Sequence, residues 1–221
     1  INDFISQWLC AYPMMTETVN YRKYHLIHHK HTETDLDPDK SLTDPFPVSK
    51  KSFSRKVLRD LTGISGLRRY FGYLYSAWGV NENTFLGHLK HFVSSLYGFL
   101  ICQLIIFSTL TFFNVPWLYL LLWWIPKLTI FSLFYRLRSI SEHACTSGQD
   151  DFTHTRTTLS SNFLRYFIAP LNVNYHLEHH LFMFCPWYNL PKAHEMLKEK
   201  DFYKDLEIEN GYFNVFKKVI I

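Results

Sequence analysis

The longest apolar run in the chain is Phe92–Phe113, FVSSLYGFLICQLIIFSTLTFF, which carries no formal charge. As a helix rising about 1.5 Å per residue it extends roughly 33 Å, enough to cross the hydrocarbon core of a bilayer. Asn114-Val115-Pro116 follows as a turn signal. A second apolar run, Trp117–Tyr135 (WLYLLLWWIPKLTIFSLFY), ends against Arg136 and Arg138. So short a turn makes the two spans antiparallel neighbours and returns both outer ends to one side of the membrane. Lys50, Lys51, Arg55, Lys56, Arg59, Arg68 and Arg69 precede this hairpin and its tip carries no basic residue. The positive-inside tendency therefore puts both polar flanks in the cytoplasm. The pattern predicts an all-α integral membrane protein, with a transmembrane hairpin over about 92–138 and a cytosolic helical cap. Lys127 is the discordant position, because a lysine deep in a span must face protein or the helix must begin late.

Outside the hairpin the periodicity is helical, with no repeat and no low-complexity tract. KSFSRKVLRDL (Lys51–Leu61) sets Phe53, Val57, Leu58 and Leu61 on one face and basic residues opposite. GLRRYFGYLYSAW mixes arginines with aromatics, and both segments suit helices lying on a membrane surface or packed on the protein's own core. TETDLDPD (Thr32–Asp39) reads as a loop.

Composition adds three constraints. The 221 residues are enough for one domain over 1–221 with a real core. Apolar residues make up 48% and aromatics 18%, and the net charge of only +4 gives no electrostatic reason for a nucleic-acid partner. The four cysteines (Cys10, Cys102, Cys145, Cys185) lack metal or disulfide spacing and read as buried apolar thiols. INDFISQWLC has no basic leading region and is not a signal peptide; the chain is expected to be the later part of a longer protein.

The chemistry lies in the histidines. HLIHHKH (His25–His31) and HLEHH (His176–His180) both contain H-x-x-H-H. On a helix these positions share one face, with Cβ atoms about 5–6 Å apart. Converging neutral imidazoles suit Zn, Fe, Cu or Ni rather than Mg or Ca. One triplet precedes the hairpin and one follows it, so the fold brings them to one side. SISEHA adds His143 just beyond the second span. The predicted ligand set is His25, His28, His29, His143, His176, His179 and His180. Seven imidazoles exceed what one ion accepts, which implies two metals.

These segments carry a resemblance. YRKYHLIHHKHT with its following DPD resembles the second histidine box of the integral-membrane fatty acid desaturase family. RLRSISEH is similar to the family's isolated histidine at the end of its fourth transmembrane helix, and NVNYHLEHHLFMFCPWYNLP resembles the third box with its proline-containing continuation. The resemblance implies that the seven histidines hold two irons that activate O2 and remove hydrogen from an unactivated C–H bond of a lipid acyl chain. It also implies an external electron donor such as cytochrome b5 or a ferredoxin, since the sequence shows no flavin, haem or nicotinamide motif. Two departures stand out. The family's first box, H-x-x-x-H or a close variant, is absent and is expected shortly before Ile1. Ser139 stands where some relatives have an asparagine that serves one iron through water.

Glu142, Glu178, Asp35, Asp37 and Asp39 are candidates to receive the outer N–H of metal-bound histidines. His88, His91, His154 and His194 are expected to be structural, His31 to be solvent-facing or backbone-bonded rather than to support a metal-bound ring, and Arg156 to form a structural ion pair. Two other functions share the pattern. One is a hydroxylase or carotenoid ketolase on the same scaffold, and the other is a non-redox membrane protein holding zinc.

Overall fold

A computed structural model describes residues 1–147, 154–203 and 206–221. The long helices are α1 (Thr18–His31), α2 (Lys50–Leu61), α3 (Ile64–Ala77), α4 (Phe85–Phe112) and α5 (Ile130–His143). Beyond them lie β1 (Arg156–Leu159), α6 (Asn162–Ile168), α7 (His176–Leu181), α8 (Leu190–Glu199), β2 (Glu207–Asn210) and α9 (Tyr212–Val219). The protein is thus an all-α membrane protein with one small sheet. The chain divides into two compact units.

The first unit comprises residues 1–24 and 58–132. The first span begins earlier than its apolar run, because Thr84 caps α4 by accepting a hydrogen bond at Oγ1 from the Gly87 N–H (3.0 Å). Its 28 residues extend about 42 Å. Asn114 takes the left-handed conformation that turns the chain (φ 60°). The second span, Tyr119–His143, opens with a wide π-type turn over Tyr119–Trp124, just ahead of Pro126, which has no N–H to give to a regular ladder. The Tyr119 hydroxyl donates to Gln103 Oε1 (2.9 Å), while Trp124 faces Phe99. The order along the two helices is therefore antiparallel, as the short turn requires. Few residues in the apolar stretches of both helices are buried inside the protein, 28% in the first and 11% in the second. Apolar helices whose surface no protein covers match lipid-facing spans rather than a soluble core.

Lys127 faces protein. Its ammonium donates to the Pro13 carbonyl (2.7 Å) and lies 4.8–5.6 Å from the ring centroids of Trp123, Trp124, Tyr70 and Phe99. The carbonyl and the ring quadrupoles take the place of water around the charge. The same region depends on Gly66, where a Cβ would come within 2.3–2.8 Å of the Leu128 backbone. Neither backbone can yield cheaply, so Gly66→Ala is expected to cost about 1–3 kcal/mol as an overpacking substitution. A thermal melt of the solubilised variant that overlays the wild type would contradict this packing.

The second unit comprises residues 25–57 and 133–221. Its core gathers Phe46, Val48, Ile140, Ala144, Val215 and Val219, so α9 packs on the last turns of α5. Val48 N–H donates to Val219 O (3.0 Å), and Ile221 N–H returns to Val48 O (2.9 Å). β1 and β2 pair in parallel, with Arg156 opposite Glu207 and Leu159 opposite Asn210. The mostly helical pattern outside the hairpin does not single out these strands. RTTL is rich in β-branched residues, which favour an extended chain. Arg156 is wholly buried and does more than form an ion pair with Glu207 (3.4 Å). Its Nη2 donates to the carbonyls of Ala144 (3.0 Å) and Cys145 (3.3 Å), at the carboxyl end of the helix that carries His143.

Candidate metal centre

All seven predicted histidines lie in the second unit and come from three elements. α1 supplies His25, His28 and His29, α5 ends at His143, and α7 supplies His176, His179 and His180. They form two groups, in each of which the candidate ligand atoms lie within 4.8 Å of one another. His28, His143, His176 and His180 make one group; His25, His29 and His179 make the other. Each triplet therefore divides between the groups instead of converging on a single point. Residues i and i+4 of α1 (His25, His29) go one way and i+3 (His28) the other. In α7, His176 and His180 pair and His179 goes to the three-histidine group.

The three-nitrogen group is nearly equilateral. Nε2 of His25, His29 and His179 are separated by 3.1, 3.1 and 3.2 Å. Hydrogen bonding cannot account for such a triangle. Each nitrogen carries either a proton or a lone pair, so at least one of the three pairs sets like against like. Lone pairs directed at one ion remove the conflict. Donors about 2.0–2.1 Å from an ion stand about 3.0 Å apart at right angles and about 3.4 Å apart at the tetrahedral angle, which brackets the observed spacing. In the other group Nε2 of His176 is 2.8 Å from that of His143 and 3.1 Å from that of His180. The all-imidazole donor sets suit Zn, Fe, Cu or Ni rather than Mg or Ca.

The outer ring nitrogens set the tautomers. His28 Nδ1–H donates to Asp37 Oδ1 (2.8 Å), and His143 Nδ1–H donates to the His154 carbonyl (2.9 Å). Thr32 gives its hydroxyl proton to His28 O (2.8 Å) and can accept from His180 Nδ1 (3.4 Å). These contacts leave Nε2 of all three rings with a lone pair, as a metal ligand needs. His176 Nδ1 lies 3.6 Å from Glu142 Oε1, a carboxylate held by Arg138 Nε (2.8 Å). Among the described residues the buried Nδ1 atoms of His29 and His176 have no hydrogen-bond partner.

Of the other candidate carboxylates, Asp39 stands 4.0 Å from His28 Nδ1, and Asp35 is exposed and paired with Lys40. Glu178 serves a different purpose. It is fully buried inside the third box and accepts from Thr157 Oγ1 (2.5 Å), His194 Nδ1 (2.5 Å) and the Tyr203 hydroxyl. One carboxylate thereby ties α7 to β1, to α8 and to the segment after it. His194 is structural in this sense. His88 and His91 donate to the Trp78 and Ala77 carbonyls, at the end of α3. His31 belongs to neither group, and the Ser139 hydroxyl donates to Tyr135 O within its own helix. Thr32, Thr157 and Tyr203 were missed from sequence; only the spacing of Thr32, four residues after His28, hinted at a role.

Burial, reinforced by neighbouring imidazoles, lowers His25 to about 3 and His29 and His179 to about 4, and puts His176 and His180 well below 6.5. At neutral pH these five offer lone pairs. For His28, burial acts in the same direction, but the Asp37 hydrogen bond and charge outweigh it and raise the ring. A buried histidine with a lowered pKa stabilises the fold fully above its unfolded value, 6.5, and loses that contribution as pH falls toward the folded value. His28 opposes this trend but is outnumbered. Metal-free protein is therefore expected to melt at progressively lower temperature from pH 6.5 toward pH 4. A flat profile over that range would contradict the buried, neutral state of these rings.

Neither a search of curated proteins nor one of solved structures finds a match to this chain. The model of the fatty acid desaturase family does match, over residues 1–208, and the chain belongs to that family.

Proposed function

We propose that this protein is an O2-dependent di-iron membrane desaturase that introduces a double bond into a lipid acyl chain. Family membership makes it an oxidoreductase of the desaturase and hydroxylase type acting on lipid. The observation that carries the finer reading is the division of seven imidazoles into a four-donor and a three-donor group. A structural zinc closes with four ligands and needs no neighbouring second set.

In this reading His28, His143, His176 and His180 hold one iron, and His25, His29 and His179 hold the other. When bound, the pair would supply the activation of O2 that removal of hydrogen from an unactivated C–H bond requires. The remaining work belongs to the chain. Asp37, Thr32 and the His154 carbonyl keep each outer N–H occupied and each inner lone pair directed inward. The Glu178 network fixes α7, so that His176 and His179 point into different groups from one helix. Overall, O2, two electrons and two protons convert one saturated C–C segment into a C=C bond and two waters. The electrons come from a partner such as cytochrome b5 or a ferredoxin. The histidine-bearing unit faces the cytoplasm, as the basic residues ahead of the hairpin suggest.

Metal analysis after anaerobic purification, together with mass spectrometry of the lipid product, tests the proposal. Two irons per chain and a product lighter by two hydrogens are expected. A single tightly held zinc rejects the reading; a product heavier by one oxygen assigns hydroxylase chemistry instead, and one with an added oxygen and two fewer hydrogens assigns ketolase chemistry.

A further inference from the structure

The described residues hold a second feature that the metal centre does not explain. α6 and the segment that follows the third histidine box leave an uncharged aromatic surface open. Phe163, Tyr166 and Phe167 of α6 are exposed, as are Trp187 and Tyr188, and Phe184 is 90% exposed. LFMFCPWY, from Leu181 to Tyr188, contains no Asp, Glu, Lys, Arg or His, and α6 carries only Arg165 as a formal charge. The two segments are linked, since Asn172 Nδ2, just beyond α6, donates to Trp187 O (3.2 Å).

What covers this surface follows from what lies under it. Ile168 and Ala169, on the opposite side of α6, are buried with Phe134 and Leu137, and Phe167 stacks on Phe134 (centroids 5.8 Å apart). Phe134 and Leu137 belong to the second membrane span, at its last turns, where Arg136 and Arg138 mark the change from hydrocarbon to water. α6 is therefore fixed at the depth where that span leaves the bilayer. The residue types suit that depth, because tyrosine and tryptophan place an apolar ring among acyl chains and a polar tip among headgroups. An uncharged aromatic surface open to water would be an aggregation hazard for a protein that did not use it.

We propose that α6 and residues 182–188 form an interfacial membrane contact, inserted among the lipid headgroups beside the second span. The histidine-bearing unit is then held to the bilayer at a point additional to the hairpin, with the third box directly above the lipid. Phe182 follows His180 by two residues, so this contact also limits how far α7 can rise from the membrane.

Spin labels test this in the full-length protein reconstituted into phosphatidylcholine vesicles. The four native cysteines are replaced by alanine and a single cysteine is introduced as Tyr166→Cys, Phe184→Cys or, on exposed α8, Lys198→Cys. Labels at positions 166 and 184 are expected to collide severalfold more with O2, which concentrates in lipid, than with a water-soluble nickel chelate. The label at 198 should show the reverse preference. Bound metal at the wild-type level shows that each variant is folded; if either aromatic variant loses metal, Phe163→Cys and Tyr188→Cys provide the same reading. The proposal is overturned if the aromatic positions match position 198. It is equally overturned if they are shielded from both reagents, which would mean that a second copy or a protein partner covers the surface.

Discussion

His179→Ala is expected to reduce the bound metal from two ions per chain to about one and to lower product formation more than about 100-fold, beyond the 10- to 100-fold typical of losing an outer-shell partner. The reason is the unequal division of donors. Among the described residues His179 is one of three imidazoles in its group, and its removal leaves two nitrogens, His25 and His29, both from α1. The neighbouring substitution, His180→Ala, removes one donor of four and leaves His28, His143 and His176 still converging. It should retain more metal than His179→Ala although the two positions are adjacent. Inductively coupled plasma analysis of both variants, purified side by side, reads the difference. Equal loss from the two would mean that the groups do not bind separately.

The largest effect on stability is expected from Glu178→Ala. This carboxylate is completely buried and receives Thr157, His194 and Tyr203. Truncation leaves three donors buried without an acceptor and opens a void, a change of the kind that costs about 3–5 kcal/mol. In a chain of this length each kcal/mol moves Tm by about 2–4 °C, so a fall of roughly 6–20 °C should follow in a thermal melt of solubilised protein. Glu178→Gln fills the space but supplies one acceptor oxygen in place of two, and should fall between the variant and the wild type. A Glu178→Ala melt within about 2 °C of wild type, equivalent to less than 1 kcal/mol, would show that the network contributes little.

The parts of this protein that could be read from sequence are those in which a local pattern has one physical solution. The 22 and 19 mostly apolar residues on either side of Asn114-Val115-Pro116 suit a membrane hairpin, and the structure forms two helices there that are long and apolar enough to cross a membrane. H-x-x-H-H on a helix brings three rings to one face, and all seven predicted histidines appear in two clusters. The division of each triplet between clusters was not legible, because it depends on how α7 is rotated relative to α1, which no single segment encodes. The two strands were missed because RTTL and EIEN are too short for an alternating pattern to register. Glu178 was identified as a candidate carboxylate, but its partners lie 16, 21 and 25 residues away on separate elements. Lys127 shows the converse case: the sequence exposed the difficulty, and only the packed structure supplied the carbonyl and rings that answer it.

The pairing of Val48 with the stretch around Val219 and Ile221 has a consequence for biogenesis. Segments about 170 positions apart close this core, and such distant closure comes late in folding. The greasy hairpin can enter the bilayer while translation continues, whereas the platform beneath the imidazoles is completed only after Ile221 has left the ribosome. Loading of the ions thus awaits that closure, and a nascent chain arrested before it should be inserted yet empty.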